Sequence, residues 1–178
     1  MEFKVSESKR VFEGKVFDVR VDLLEGPAGT PSRVDIVEHP GAIALIPTDA
    51  QNHVWLVRQY RHPAREQLLE LPAGTLEVGE SPEDCAFREC REEIGMAPGA
   101  LIHLGGTFLA PGYSNEYLHF FLARDLNAAP LPPDPGEVLH LEKIPWNQLW
   151  KMIADNSIRD AKTLAGLTLA RLWKDGAA

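Results

Sequence analysis

Residues 81–95, SPEDCAFRECREEIG, favour one regular conformation, and it constrains the rest of the chain. Ser81 is a good helix N-cap, Pro82 suits the first helical position, and Glu83 and Asp84 favour the positive end of a helix dipole. Gly95 then supplies a stop. At about 100° per residue, Ala86, Phe87, Cys90 and Ile94 fall in one arc and form an apolar face. Glu89, Glu92 and Glu93 fall in another arc, with Arg88 beside them. Such a helix must lie on an apolar layer. Its like charges, three or four residues apart, repel by roughly 0.2–0.5 kcal/mol per pair. Either water screens an acidic surface or a cation belongs there.

The layer beneath it is expected to be β-structure. Residues 11–24 alternate around a turn at Gly14, as an antiparallel hairpin does. GPAGTPS at 26–32 reads as a loop, and RVDIVEH, GAIALIPTD and HVWLVRQYR as three short strands. In LLELPAGTLE, Pro72 and Gly74 predict a bend rather than a regular element. LIHLGGTFLA and EYLHFFLARDL read as strands on either side of the loop PGYSN, and NAAPLPPDPG as an exposed loop. EVLHLEKIPW predicts a last strand, followed by about 30 residues of amphipathic helix. The sum is a mixed α/β sandwich rather than a doubly wound sheet, which would need regular strand–helix alternation.

A length of 178 residues suits one domain, or two very unequal ones, without disulfide staples. Cys85 and Cys90 are five apart on one helix and turned away from each other, so no bridge between them is expected. No apolar run approaches the roughly 18 residues of a membrane span, and MEFKVSESKR lacks the core of a signal peptide. A reducing, cytoplasmic setting is the expectation. A net charge of −8 argues against nucleic-acid or anionic-membrane partners. An anionic substrate would then need a local source of positive charge.

The turn Leu71-Pro72-Ala73-Gly74 can bring backbone carbonyls close to the acidic helix. Carboxylates with a carbonyl oxygen are hard ligands suited to Mg²⁺ or Mn²⁺, and such an ion would carry the missing positive charge. Gly74, then Glu80, then Arg88-Glu89-Cys90-Arg91-Glu92-Glu93-Ile94-Gly95-Met96 resembles the complete Nudix box. Cys90 is the one departure, because the family more often has a larger aliphatic there.

The resemblance implies a Nudix α/β/α sandwich with a mixed sheet, preceded by an N-terminal antiparallel β-region. It implies a region 1–38, exchanged across a homodimer, and a hydrolase domain 39–178. By the same resemblance Glu89 and Glu93 would bind the metal, Mg²⁺ or Mn²⁺, with the carbonyl of Ala73. Glu92 would assist catalysis with Glu93. Gly74 would permit the loop geometry, and Glu80 with Arg88 would tie loop to helix.

Ala110-Pro111-Gly112-Tyr113-Ser114-Asn115-Glu116 resembles the proline-containing loop of the ADP-ribose pyrophosphatase branch. There Glu116 would hold the substrate beside the diphosphate. VRQYRHP at 57–63 would offer Arg58 and Arg61, the second near the phosphates. SRVDIVEH at 32–39 would carry Arg33 to the neighbouring subunit's substrate, with Val16 or Phe17 against the base. By the same resemblance Glu137, in DPGEV, would be a further catalytic acid and metal ligand. Pro135 stands where related enzymes carry a second acid. Asp134 or Glu92 would then share the task of activating water.

The activity implied is Mg²⁺-dependent cleavage of ADP-ribose to AMP and ribose 5-phosphate. Another nucleoside diphosphate sugar, such as GDP-mannose, is the rival substrate. A non-catalytic nucleotide-sensing domain is the rival of a different class, and the intact box carboxylates argue against it. The long N-terminal β-region and the Pro111 loop argue against a nucleoside triphosphatase.

Overall fold

The structure is a computed structural model that describes residues 3–26, 29–133, 136 and 138–176. The chain forms two compact units, Met1–Gly41 with Phe108–Tyr117, and Ala42–Thr107 with Leu118–Ala178.

The first unit is built on an antiparallel sheet of order β1-β2-β3, with β1 at Lys4–Glu13, β2 at Asp18–Glu25 and β3 at Pro31–Glu38. The hairpin expected around Gly14 is present. Strand β2 ends at Glu25 and β3 begins at Pro31, so the ladder takes up the C-terminal end, Pro31 and Ser32, of the segment expected to be loop. The connection 108–117 is knitted to β3. The Val37 N–H donates to the Tyr113 carbonyl at 2.7 Å, and Asn115 N–H donates to the Val37 carbonyl at 3.2 Å.

The second unit contains β4 (Ala42–Pro47), β5 (His53–Arg61), β6 (Glu66–Glu70), β7 (Ala73–Thr75), α1 (Pro82–Glu93), β8 (Met96–Phe108), β9 (Tyr117–Ala128), β10 (His140–Pro145), α2 (Trp146–Ala154) and α3 (Ala161–Gly176). The terminal residues Phe108 and Tyr117 of β8 and β9 fall in the first unit. One sheet runs β7-β4-β9-β8 and is mixed, because β4 pairs parallel with β9 and antiparallel with β7. A second runs β10-β5-β6. Side chains alternate along β4. Ala42, Ala44 and Ile46 join the core under α2 and α3, while Ile43 and Leu45 join the core under α1. Leu118, Phe120 and Leu122 of β9 divide from Phe121 and Ala123 in the same way. Each Ile, Leu or Phe side chain among them, fully buried, stabilises the fold by about 1.5–3 kcal/mol. The result is the expected α/β/α sandwich.

Two local expectations are corrected. LLELPAGTLE is a bend only at Leu71–Pro72, because short strands β6 and β7 flank it. Pro72 has no N–H to extend the β6 ladder, and its carbonyl accepts from Leu45 N–H at 2.8 Å. The closing helix is two helices. Asn156, at φ 65°, ends α2 in the left-handed region, and Asp160 restarts the chain by accepting from Thr163 N–H at 3.0 Å.

Candidate active site

Helix α1 starts as its sequence requires. Ser81 Oγ accepts from Asp84 N–H at 3.1 Å, a cap worth about 1 kcal/mol. Gly95, at φ 71°, closes the other end. Cys85, Ala86, Cys90 and Ile94 are buried, but Phe87 is 41% exposed and its ring lies 5.8 Å from the Arg91 guanidinium carbon. The sheet meets α1 along an arc rotated toward Cys85, and that rotation turns Phe87 out. The same rotation carries the acids inward, and Glu89 is only 8% exposed. The apolar and acidic arcs overlap.

Arg88 lets the carboxylates share this face. Its Nε and Nη2 donate to both oxygens of Glu80, at 2.8 and 2.9 Å. Its Nη1 donates to Glu89 at 2.7 Å and to Glu92 at 2.9 Å. One guanidinium thus joins the loop before the helix to two of the three box acids. The Arg88 hydrogen bonds hold the Glu80 carboxyl down at about 2 against the opposing effect of burial.

The carboxylates converge on the main chain of Ala73 and Gly74. Ala73 N–H donates to Glu93 Oε2 at 3.1 Å. A Cβ added at Gly74 would stand 1.9 Å from both Cδ and Oε1 of Glu89. Gly74 is not among the glycines at positive φ, so the loop needs it for the missing side chain rather than for backbone freedom. This cradle suits a small hard cation. Two carboxylates and the Ala73 carbonyl would supply part of an oxygen shell, with water and phosphate completing it. Among the described residues no three His, Cys, Asp or Glu side chains make a ready metal cluster. Glu137, Asp134 and Pro135 lie outside the described residues.

Arg61 ends β5 in a bidentate pair with Glu70, Nε to Oε1 at 2.9 Å and Nη2 to Oε2 at 2.7 Å. That pairing raises the Arg61 pKa, with a smaller contribution from the charge of Glu93. Glu70 is 1% exposed and also accepts from Lys162 Nζ. Glu70 and Lys162 went unnoticed in the sequence because 92 residues separate them. Arg58 Nε donates to Glu142 Oε1 at 2.6 Å, joining β5 to β10.

Four of the candidate residues belong to the first unit. Val16 and Phe17 lie in the β1–β2 turn and are 59% and 43% exposed. Arg33 pairs with Asp35 at 2.9 Å on the surface of β3. Glu116 N–H donates to Ser114 Oγ at 3.1 Å, and the Glu116 carbonyl accepts from Leu109 N–H. The cysteines are free, as expected, and Cys85 is buried as well as Cys90; burial pushes the Cys90 thiol up to about 12, which leaves it inert as a nucleophile. A separate cavity of about 470 Å³, lined by Thr48, Asp49, Trp55, Arg124, Asp125 and Lys143 among others, includes Met96 at the end of the box but none of the box acids.

The NUDIX domain family matches residues 37–167. An ADP-ribose pyrophosphatase of Bacillus subtilis is 32% identical over 97% of this chain and 94% of its own length. A methanol dehydrogenase activator of Bacillus methanolicus is 34% identical over 96% and 94%. The solved structure of an ADP compounds hydrolase superposes with a TM-score of 0.89 at 24% identity, covering 100% of this chain and 97% of that one, which establishes a shared fold.

Proposed function

Since this chain belongs to the NUDIX family and is one of its pyrophosphohydrolases, we propose that its substrate is ADP-ribose, cleaved to AMP and ribose 5-phosphate with Mg²⁺ as cofactor. The observation that carries the reading is the convergence of Glu89 and Glu93 on Ala73 and Gly74, with Arg88 setting the spacing. NUDIX hydrolases generally use divalent cations. Glu89, Glu93 and the Ala73 carbonyl would hold Mg²⁺, which when bound neutralises phosphate oxygens and lowers the pKa of water. Glu92, oriented by Arg88, would help accept the proton that water loses, with Glu137 as a further acid. Arg61 would meet the diphosphate and Glu116 the terminal ribose. Arg58 would turn to phosphate only the guanidinium edge that Glu142 does not use. The identity of the Bacillus subtilis relative supports the choice of sugar nucleotide.

Removing Arg61 tests the assignment. Arg61→Ala deletes charge-assisted hydrogen bonds worth roughly 1.5–3 kcal/mol each, so kcat/KM for ADP-ribose should fall about 10- to 100-fold. Wild type should favour ADP-ribose over ATP and GTP by at least about tenfold, or about 1.4 kcal/mol. A kinetic panel of ADP-ribose, GDP-mannose and both triphosphates reads all of this. A preference for triphosphates that Arg61→Ala leaves untouched would refute the substrate.

The second part of the proposal is a homodimer in which residues 1–38 cross to the partner, bringing Arg33 to its substrate and Val16 or Phe17 against the base. Strand β1 supports it, because all ten of its residues are exposed at the edge of its sheet. Phe3, Val5, Val11 and Phe12 are each at least 50% exposed, an apolar surface that a second copy would cover. Sedimentation at micromolar concentration should give a dimer, and a fully active monomer would exclude the exchange.

A further inference from the structure

Arg61 is the last visible link of a chain of contacts that begins in the first turn of α3. Asp160 Oδ2 accepts from Thr163 N–H at 3.0 Å and from Thr163 Oγ1 at 2.6 Å, which fixes the start of the helix. The same oxygen lies 3.1 Å from Lys162 Nζ, so Lys162 is held on one side by its own helix cap. On the other side Lys162 donates to Glu70 Oε2, the oxygen that also accepts from Arg61 Nη2. Thr163 adds a parallel tie, because its Oγ1 accepts from Leu71 N–H at 2.8 Å. Both residues 70 and 71 are thereby gripped by consecutive positions of α3.

A carboxylate as buried as Glu70 is stable only when charged partners and hydrogen bonds replace its water. Burial alone would push its pKa up, but the Arg61 hydrogen bonds and the nearby Lys162 charge together hold it below the usual range. Glu70 therefore stays ionised and immobile. A fork through Nε and Nη2 fixes the plane of the Arg61 guanidinium, and the Nη1 edge faces away from Glu70. A long side chain held in this way has little rotamer freedom left to lose when it meets an anion.

We propose that Glu70 and Lys162 are positioning residues for substrate affinity. They hold the Arg61 guanidinium in the orientation that meets the substrate diphosphate, so that α3 sets the grip on substrate without touching it. The inference rests on the reading of Arg61 as a diphosphate ligand.

The test is steady-state kinetics on ADP-ribose with Lys162→Met, Arg61→Ala and the double variant, beside thermal unfolding of each. Lys162→Met should raise KM about 5- to 20-fold and change kcat by less than about twofold. On the Arg61→Ala background it should cost nothing further, since there is no guanidinium left to position. Lys162→Arg should restore KM to within about twofold of wild type. Lys162→Gln, which keeps a donor but no charge, replaces Lys162→Met if that variant does not fold, with the same expectation. Unchanged KM in Lys162→Met, a loss that falls on kcat instead, or additive losses in the double variant would each overturn the inference. If Arg61→Ala alone leaves KM and kcat/KM unchanged, the Arg61 reading itself fails and takes the inference with it. If Arg61→Ala is impaired and Lys162→Met is not, only the inference fails.

Discussion

Glu93→Gln is expected to lower turnover of ADP-ribose at least about a hundredfold, equivalent to about 2.7 kcal/mol in the barrier, and to leave the fold intact. The two halves of the expectation have separate causes. Glutamine keeps a carbonyl oxygen that can still accept from Ala73 N–H, so the contact between α1 and β7 survives. What it loses is the charge, and a neutral amide is a far weaker ligand for a hard divalent cation. Removing one acid also relieves repulsion between Glu89 and Glu93, which lie one helical turn apart. The melting temperature without metal should be unchanged or slightly higher. Near-normal turnover would remove Glu93 from the metal site.

Gly74→Ala should be nearly as damaging to turnover, through geometry instead of charge. The new methyl would fall 1.9 Å from the carboxyl carbon of Glu89 and 2.4 Å from its Cγ. Those atoms are the end of a flexible side chain, so the fold can accommodate the methyl by displacing Glu89, at a cost toward the low end of the roughly 1–3 kcal/mol typical of overpacking. Glu89 cannot leave without giving up the Arg88 bond and its place beside Gly74. A loss of at least about a hundredfold in kcat, about 2.7 kcal/mol, is expected with weakened Mn²⁺ binding by calorimetry and only a small change in melting temperature. Wild-type metal binding and turnover in Gly74→Ala would show that the close approach is irrelevant.

Much of this site was legible in the sequence because it is local. Cap, helix and stop all lie within residues 81–95 and follow from spacing alone, while the Glu80–Arg88 tie was expected from the family resemblance. The assignment of Phe87 to the core failed for a physical reason. A helical wheel gives the relative angles of side chains but not the direction from which the sheet approaches, and the approach from the Cys85 side buries Glu89 in its place. The Glu70–Lys162 and Leu71–Thr163 contacts each span 92 residues, so no window of local sequence contains both partners. The docking of the 110–116 loop on β3 is hidden in the same way, because Asn115 must meet the main chain of Val37 before the contact exists.

Strand β4 carries a consequence for how reliably this enzyme assembles. At its first four positions the small residues, Ala42 and Ala44, face the α3 side, where Ile46 follows them, and the bulky ones, Ile43 and Leu45, face α1. A slip of one residue would exchange the two sets and push the larger side chains toward a crowded layer. There a single methyl on Gly166 would already come within 2.5 Å of Leu71 and 2.9 Å of Phe120. The same slip would take Ala73 away from Ala44 and Gly74 away from Ile43, and so misplace the main chain that the box acids require. A misaligned chain therefore fails to pack before it can present a faulty catalytic loop. The size difference among four aliphatic side chains works as proofreading, and molecules that complete the sandwich arrive with their acids correctly spaced.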